Sequence, residues 1–248
     1  MILPLLLIFG GGAALLALTL RHDDEFGPVP DHKPDMPPSA SGPINLPTTR
    51  YRKIDAILPQ LKQASDASGI PLGLMVGWLA KESGGRLEEV TKLDERGVFQ
   101  LHPDESKALG LDHQRLSTDM TYSIAGGVAL IRKYMGIAQA LNVAAPGSDY
   151  FWRLVKLLHT MGSGATRTIV KAAEAAGQAG SWRSLEDYAL SNEKQLLSAT
   201  KHSPTKWFPL VDEVAQIGGR FGFGEGGTAV VGAMVATSDI VDPLDCLS

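Results

Sequence analysis

Residues 71–103, PLGLMVGWLAKESGGRLEEVTKLDERGVFQLHP, place a helical pattern directly before a loop rich in charged side chains. Met75, Trp78 and Leu79 recur at the spacing of one helix face, and Glu82 continues that face. Two glycines follow Glu82 at once, in the position where glycine commonly ends a helix. The stretch therefore predicts an apolar helix that ends with a carboxylate at the edge of a loop.

Helical patterns recur along the rest of the chain and predict an all-α, or mainly α, domain over residues 49–218. Pro71 and Ser203-Pro204 indicate helix starts, and Gly218-Gly219 indicates a stop. We find no convincing run of alternating apolar and polar residues that would predict strands. The expected helices cover residues 51–68, 71–83, 117–141, 148–161, 165–177, 181–200 and 203–219.

The two ends of the 248-residue chain differ in composition from this domain. Residues 2–20 carry no charge and are long enough to cross a bilayer as a helix, so residues 1–21 are predicted to be a transmembrane anchor, with a signal peptide as the alternative. Residues 22–48 hold seven of the fifteen prolines and predict an extended linker. Residues 219–248 form a Gly-rich tail whose role the sequence does not indicate.

The composition excludes several classes of partner and site. The formal net charge is −4 and no long Lys or Arg run occurs, which argues against a nucleic-acid partner. A lone cysteine, Cys246, excludes an internal disulfide and a Cys-rich zinc site. The six histidines lack the spacing of a metal-ligand motif. We therefore expect no metal and no cofactor.

One carboxylate in residues 79–103 stands apart from its neighbours. Glu82 continues an apolar face and lies at the negative end of a helix dipole, and both effects favour the protonated acid. It is the candidate general acid; a helix-end carboxylate bonded to a nearby loop is the alternative interpretation. The remaining four alternate with basic residues, as in a solvated loop: Glu88, Glu89, Asp94 and Glu95.

A second candidate group follows in residues 97–103. Gln100 stands among apolar residues, and its amide offers both a donor and an acceptor, as sugar hydroxyl and acetamido groups require. Phe99 offers a flat apolar face. The alternative is a packed turn in which Gln100 merely bonds the backbone.

With these two motifs, residues 51–169 resemble the soluble lytic transglycosylase family of the lysozyme-like superfamily. The run from Glu82 to Gly85 is similar to the family's ES motif, which carries the single catalytic acid, and residues 97–103 are similar to its GLMQ-x-x-P motif. Residues 117–131 resemble a family helix of the form D…NI…G…YL. There Ser123 stands where Asn is usual, and Gly127 stands at the glycine.

The third motif of that family, AYNAGPG, is matched less closely by residues 158–164, LHTMGSG. His159 replaces the tyrosine that contacts the catalytic acid in the family, and Thr160 replaces the asparagine. A neutral imidazole can hydrogen-bond a carboxyl group as a phenol does, whereas a protonated one would lower the pKa of the acid. We expect His159 to contact Glu82, with a core histidine as the alternative.

The resemblance implies cleavage of the β-1,4 bond between N-acetylmuramic acid and N-acetylglucosamine in peptidoglycan, with 1,6-anhydro ends. Glu82 would act first as the acid and then as the base, without metal or cofactor. Substrate-binding roles are implied for Ser83, Phe99, Gln100, His159 and Thr160. Tyr122 is a further candidate for lining a sugar groove, although aromatic residues at helical spacing more often belong to the core.

Two alternatives stay open on the sequence. A goose-type-lysozyme-like hydrolase would cut the same bond with water, using Asp94 or Glu95 as the base. A membrane-tethered structural or wall-docking protein would carry a degenerate site. The expected partners are peptidoglycan strands, a membrane through residues 2–20, and a secretion or virion assembly, with the catalytic domain facing the periplasm or cell wall.

Overall fold

A computed structural model describes residues 46–223 of the chain. This part contains nine α-helices and two short 3-10 helices, Arg115–Ser117 and Gly219–Phe221. The α-helices are α1 (Arg52–Ser68), α2 (Leu72–Glu82), α3 (Pro103–Ala108), α4 (Met120–Leu141), α5 (Asp149–Met161), α6 (Ser163–Ala175), α7 (Trp182–Ser191), α8 (Glu193–Thr200) and α9 (Pro204–Gly218).

The prediction of a mainly α domain is confirmed. The described residues contain no β-strand, only isolated antiparallel bridges that join Val90 to Arg96 and Arg96 to Leu101. One predicted helix, 181–200, is divided into α7 and α8 at Asn192. The backbone of Asn192 leaves the helical region (φ −109°, ψ 22°), and its side-chain amide donates to the carbonyl of Tyr188 at 2.8 Å. An Asn side chain that bonds the backbone in this way competes with the helical hydrogen bonds.

Helix α2 lies at the centre of the core. Every residue from Leu72 to Ala80 is buried. Gly73 and Gly77 let α9 approach closely, because a Cβ at either position would overlap backbone atoms of Gly218 or Val214. A helix buried on all sides holds its last residue, Glu82, in a fixed place relative to its neighbours.

The packed domain extends beyond the predicted boundary at residue 218. Phe223 is 2% exposed and belongs to the core, where it lies against Gly73 and Gly218. The chain turns back after α9 because residues 219–221 form a 3-10 helix and Gly222 adopts a left-handed conformation (φ 83°). The first five residues of the predicted tail are therefore part of the domain.

None of the helices within residues 46–223 is long and apolar enough to cross a membrane. The predicted anchor, residues 1–21, lies outside the described residues. So do most of the linker and the tail after Phe223.

Candidate active site

The carboxylate of Glu82 lies at the C-terminal end of α2, where 23% of its side chain is exposed. Two polar side chains of helix α5 reach this end. The Nζ atom of Lys156 donates to Oε1 of Glu82 at 2.5 Å, and Nδ1 of His159 lies 3.9 Å from the same oxygen. The immediate partner of Glu82 is therefore a lysine.

Lys156 is the functional candidate that the sequence interpretation missed. Its side chain is fully buried, and its Nζ lies 4.2 Å from the ring centroid of Trp78 and 3.2 Å from Nδ1 of His159. The sequence does contain a signal for it. In RLVKLLH, Lys156 interrupts a run of large apolar residues, so a helix that buries those residues on several sides must bury the ammonium as well.

The expectation that its surroundings keep Glu82 protonated is wrong. Burial raises the pKa of Glu82, but the charge of Lys156 and its hydrogen bond to the carboxylate outweigh burial, so the pKa is lowered. The apolar face and the helix dipole would each raise the pKa of Glu82. A cation in hydrogen-bond contact stabilises the carboxylate more strongly than those two effects destabilise it.

His159 is a neutral group in the core of this site. Burial and the charge of Lys156 lower the pKa of His159 to about 4. Its ring packs on Trp78 at 4.7 Å and meets Tyr134 edge to face at 5.7 Å between centroids. At 3.9 Å its Nδ1 is too distant to bond Glu82 directly, so the expected contact between the two residues runs through Lys156.

A second carboxylate interacts with the imidazole through space. Glu105, in the first turn of α3, accepts from the hydroxyl of Tyr134 at 2.8 Å and from the backbone N–H of His102 at 3.0 Å. Burial lowers the pKa of both Lys156 and His159, and the charge of Glu105 opposes this lowering. The polar cluster therefore continues from Glu82 through the two α5 side chains to Tyr134 and Glu105.

Ser83 joins the first two sequence motifs. It is fully buried, and its hydroxyl donates to the carbonyl of Val98 at 2.8 Å and accepts from the N–H of Gly85 at 3.1 Å. The hydroxyl of Ser123, in α4, accepts from the N–H of Val98 at 2.9 Å. Ser83 thus holds the loop against the end of α2 and is not directed at the solvent.

The loop residues after Val98 are also turned inward. Phe99 is fully buried, packs edge to face on Trp78, and fills the space left by Gly127. We therefore assign Phe99 to the core, where it has no exposed face for a sugar. The sequence predicts an aromatic face for a sugar at this position, and it fails because a sequence does not show on which side of a turn a side chain lies.

Gln100 stabilises the turn on which it lies. It adopts a left-handed backbone conformation (φ 52°) and is 3% exposed. Its amide nitrogen donates to the carbonyls of Gly97 at 2.8 Å and Glu89 at 3.2 Å. The amide oxygen is buried and has no hydrogen-bond partner among the described residues. This arrangement matches the alternative in which Gln100 bonds the backbone.

The last two predicted residues make contacts away from the carboxylate. The hydroxyl of Tyr122 accepts from the N–H of Asp112 at 2.8 Å, and the guanidinium of Arg115 lies 4.4 Å from its ring centroid. The hydroxyl of Thr160 donates to the carbonyl of Lys156 at 2.9 Å. Of the six predicted substrate-binding residues, His159 lies beside the Glu82 carboxylate and Ser83 is next to Glu82 in the chain, whereas Thr160 bonds only the backbone of Lys156.

A cavity of about 370 Å³ lies beside the third motif. Tyr134 lines it together with Lys133, Ser163 and His202. Because Tyr134 also contacts His159 and Glu105, the cavity shares this residue with the polar cluster.

Comparison of the chain with known family models and with curated proteins gives no match. The chemistry must therefore be argued from the site itself. A partly exposed carboxylate next to a buried ammonium can accept a proton, and it becomes a proton donor once it has taken one up.

Proposed function

We propose that the protein is a peptidoglycan lytic transglycosylase with a lysozyme-like fold, and that it cleaves the bond between N-acetylmuramic acid and N-acetylglucosamine to leave 1,6-anhydro ends. One observation carries the proposal. The three segments that resemble the family's motifs meet at Glu82: Ser83 bonds Val98, and His159 lies 3.9 Å from the carboxylate. This proximity of residues that are far apart in sequence is what supports the proposal.

The reaction needs one carboxyl group in two protonation states. As an acid, Glu82 gives its proton to the glycosidic oxygen while the bond from that oxygen to the anomeric carbon breaks, and the N-acetyl oxygen of the substrate bonds to that carbon. As a carboxylate, Glu82 then removes the proton of the 6-hydroxyl, whose oxygen displaces the N-acetyl oxygen. Glu82 ends protonated, as it began.

The exposure of Glu82 suits this chemistry. Its Oε1 faces Lys156, while part of its side chain remains open to solvent. The proton donor of a glycosidase must reach the leaving oxygen from such an opening. We further propose that residues 1–21 anchor the protein in a membrane and that the linker holds the domain near the cell wall.

The Lys156–Glu82 pair favours one other candidate, a wall-docking protein with a degenerate site. An ion pair at 2.5 Å that involves a fully buried lysine can be a structural contact only. Such a protein would bind peptidoglycan and release no fragments.

The test compares the wild-type protein with Glu82→Gln and with Glu88→Gln on purified peptidoglycan from about pH 4 to about pH 8, because Lys156 opposes protonation of Glu82 at the higher values. Glu88 is a matched control, since it is an exposed carboxylate that also pairs with a lysine, Lys53. We expect Glu82→Gln to lose at least ~100-fold in fragment release and Glu88→Gln to keep it. Equal release by folded Glu82→Gln and wild type would contradict the proposal, and binding without release would favour wall docking.

A further inference from the structure

We infer that Lys156 is a positioning residue that holds Glu82 as a carboxylate in the free protein, so that glycan cleavage is confined to acidic conditions. The inference rests on the proposed function, because it concerns the acid of that reaction. It assigns a role to a residue that lies outside the three sequence motifs.

The geometry leaves Lys156 little freedom. Its side chain is fully buried in α5, and its Nζ is enclosed by the ring of Trp78 at 4.2 Å and by Nδ1 of His159 at 3.2 Å. The bond to Oε1 of Glu82 is the shortest of these contacts, at 2.5 Å. Since the ammonium cannot turn out into water, it acts on Glu82 in every state in which it is charged.

The charged and titratable groups near Lys156 come from several helices. Helix α2 contributes Glu82 and, farther away, Lys81, which pairs with Glu213 of α9. Helix α5 contributes the neutral His159, whose ring contacts Tyr134 of α4. Glu105 of α3 acts on Lys156 through space and is itself bonded to that tyrosine. Among the described residues, Glu82 is the carboxylate that Lys156 hydrogen-bonds.

A buried ammonium is stable only with a counter-charge. Burial lowers the pKa of Lys156, while Glu82 and Glu105 oppose that shift. Burial raises the pKa of Glu82, but the same contact outweighs burial and lowers it. The pair is therefore an ion pair over an intermediate range of pH, and Glu82 takes up the additional proton that makes it an acid only at lower pH.

An acid catalyst must be a strong proton donor and must carry its proton at the working pH. The lysine has opposite effects on these two requirements. It stabilises the carboxylate that forms when Glu82 gives its proton to the glycosidic oxygen, which makes the protonated form a stronger donor. It also reduces the fraction of molecules that carry this proton at neutral pH. Removal of the charge should therefore move the pH profile towards higher values rather than simply abolish activity.

The experiment follows the carboxyl carbon of Glu82 by ¹³C NMR in glutamate-labelled protein, with Glu82→Gln to assign the signal. In the wild type, the midpoint should lie below the ordinary glutamate value of 4.5. In Lys156→Met it should rise by more than about one pH unit, which is a more than tenfold change in the protonated fraction above the midpoint. The pH profile of fragment release should move in the same direction by a similar amount.

Two further variants make the test specific. Lys81→Met removes a lysine of α2 that is bonded to Glu213, and it should shift the Glu82 midpoint far less. Lys156→Gln keeps a hydrogen-bond donor without the charge, and it replaces Lys156→Met if the latter does not fold. An unchanged Glu82 midpoint in a folded Lys156 variant would overturn the inference. A shifted midpoint without fragment release by any variant would support the electrostatic role and contradict the proposed function.

Discussion

Ser83 and Ser123 hold Val98 from opposite sides, because the hydroxyl of Ser83 donates to its carbonyl and the hydroxyl of Ser123 accepts from its N–H. Both serines are fully buried. The end of α2, the loop and the start of α4 are thereby tied to one residue. Glu82, which directly precedes Ser83, depends on this connection for its position.

Ser83→Ala and Ser123→Ala should therefore each destabilise the fold by about 1–3 kcal/mol, because each leaves a buried backbone group of Val98 without its partner. Urea unfolding provides the measurement. Ser198→Ala, on the exposed surface of α8, is the control and should stay within about 0.5 kcal/mol of the wild type. Stabilities of the two buried variants that equal that of the control would show that these bonds do not hold the loop.

Gly127 should tolerate no side chain. A Cβ at this position would overlap the ring of Phe99, which is fully buried and cannot move into solvent. Gly127→Ala should thus cost about 1–3 kcal/mol in the free energy of unfolding. Gly136→Ala in the same helix is the matched control, since its Cβ would meet no atom within 4 Å, and it should stabilise the protein by about 0.5–1 kcal/mol. If both substitutions changed the free energy of unfolding with the same sign, this would argue against the close packing of Phe99.

The burial of His159 should make stability depend on pH. Its pKa is lowered from 6.5 to about 4 in the folded protein, so the unfolded chain binds more protons between these values. Stability should therefore be fully present above about pH 6.5 and decrease as the pH falls towards about 4, by about 3 kcal/mol at most for this residue. His159→Phe should reduce this slope in urea unfolding measured at several pH values. Identical slopes for the two proteins would show that the imidazole of His159 is not buried in the folded protein.

Glu186 should weaken the fold at neutral pH. It is 5% exposed, and burial together with the neighbouring Asp212 raises its pKa. A raised pKa favours folding at low pH, and that contribution is lost as the pH rises through the folded value. Glu186→Gln should then raise the melting temperature at neutral pH by a few degrees, equivalent to about 1 kcal/mol, and have little effect at about pH 4. Asp187→Asn, a more exposed neighbour that also contacts Arg183, should have little effect at either pH.

Much of the helical framework is predictable because it depends on local patterns. The apolar spacing before Glu82 correctly predicts α2, and the glycines after residue 217 correctly predict the end of α9. Asn192 shows where such patterns fail. The apolar spacing continues across it, but its side chain bonds the backbone and divides the helix.

The candidate site is less predictable because its chemistry depends on contacts between distant segments. Lys156 is 74 positions from Glu82, and no local pattern shows that an α5 lysine would neutralise an α2 carboxylate. The orientation of Phe99 depends in the same way on Gly127, a residue of another helix. The sequence identifies Glu82 as unusual, whereas the sign of its pKa shift follows only from the fold.

The mass of the fragments released from purified peptidoglycan tests the proposed function most directly. The protein would be incubated at acidic pH, where Glu82 can be protonated, with Glu82→Gln as the inactive control. The account predicts muropeptides with 1,6-anhydro ends, which are lighter by one water than hydrolysed fragments, and their absence with Glu82→Gln. Reducing ends would instead indicate a hydrolase of the goose-type-lysozyme kind, and no release by folded protein at any pH would contradict the enzymatic function itself.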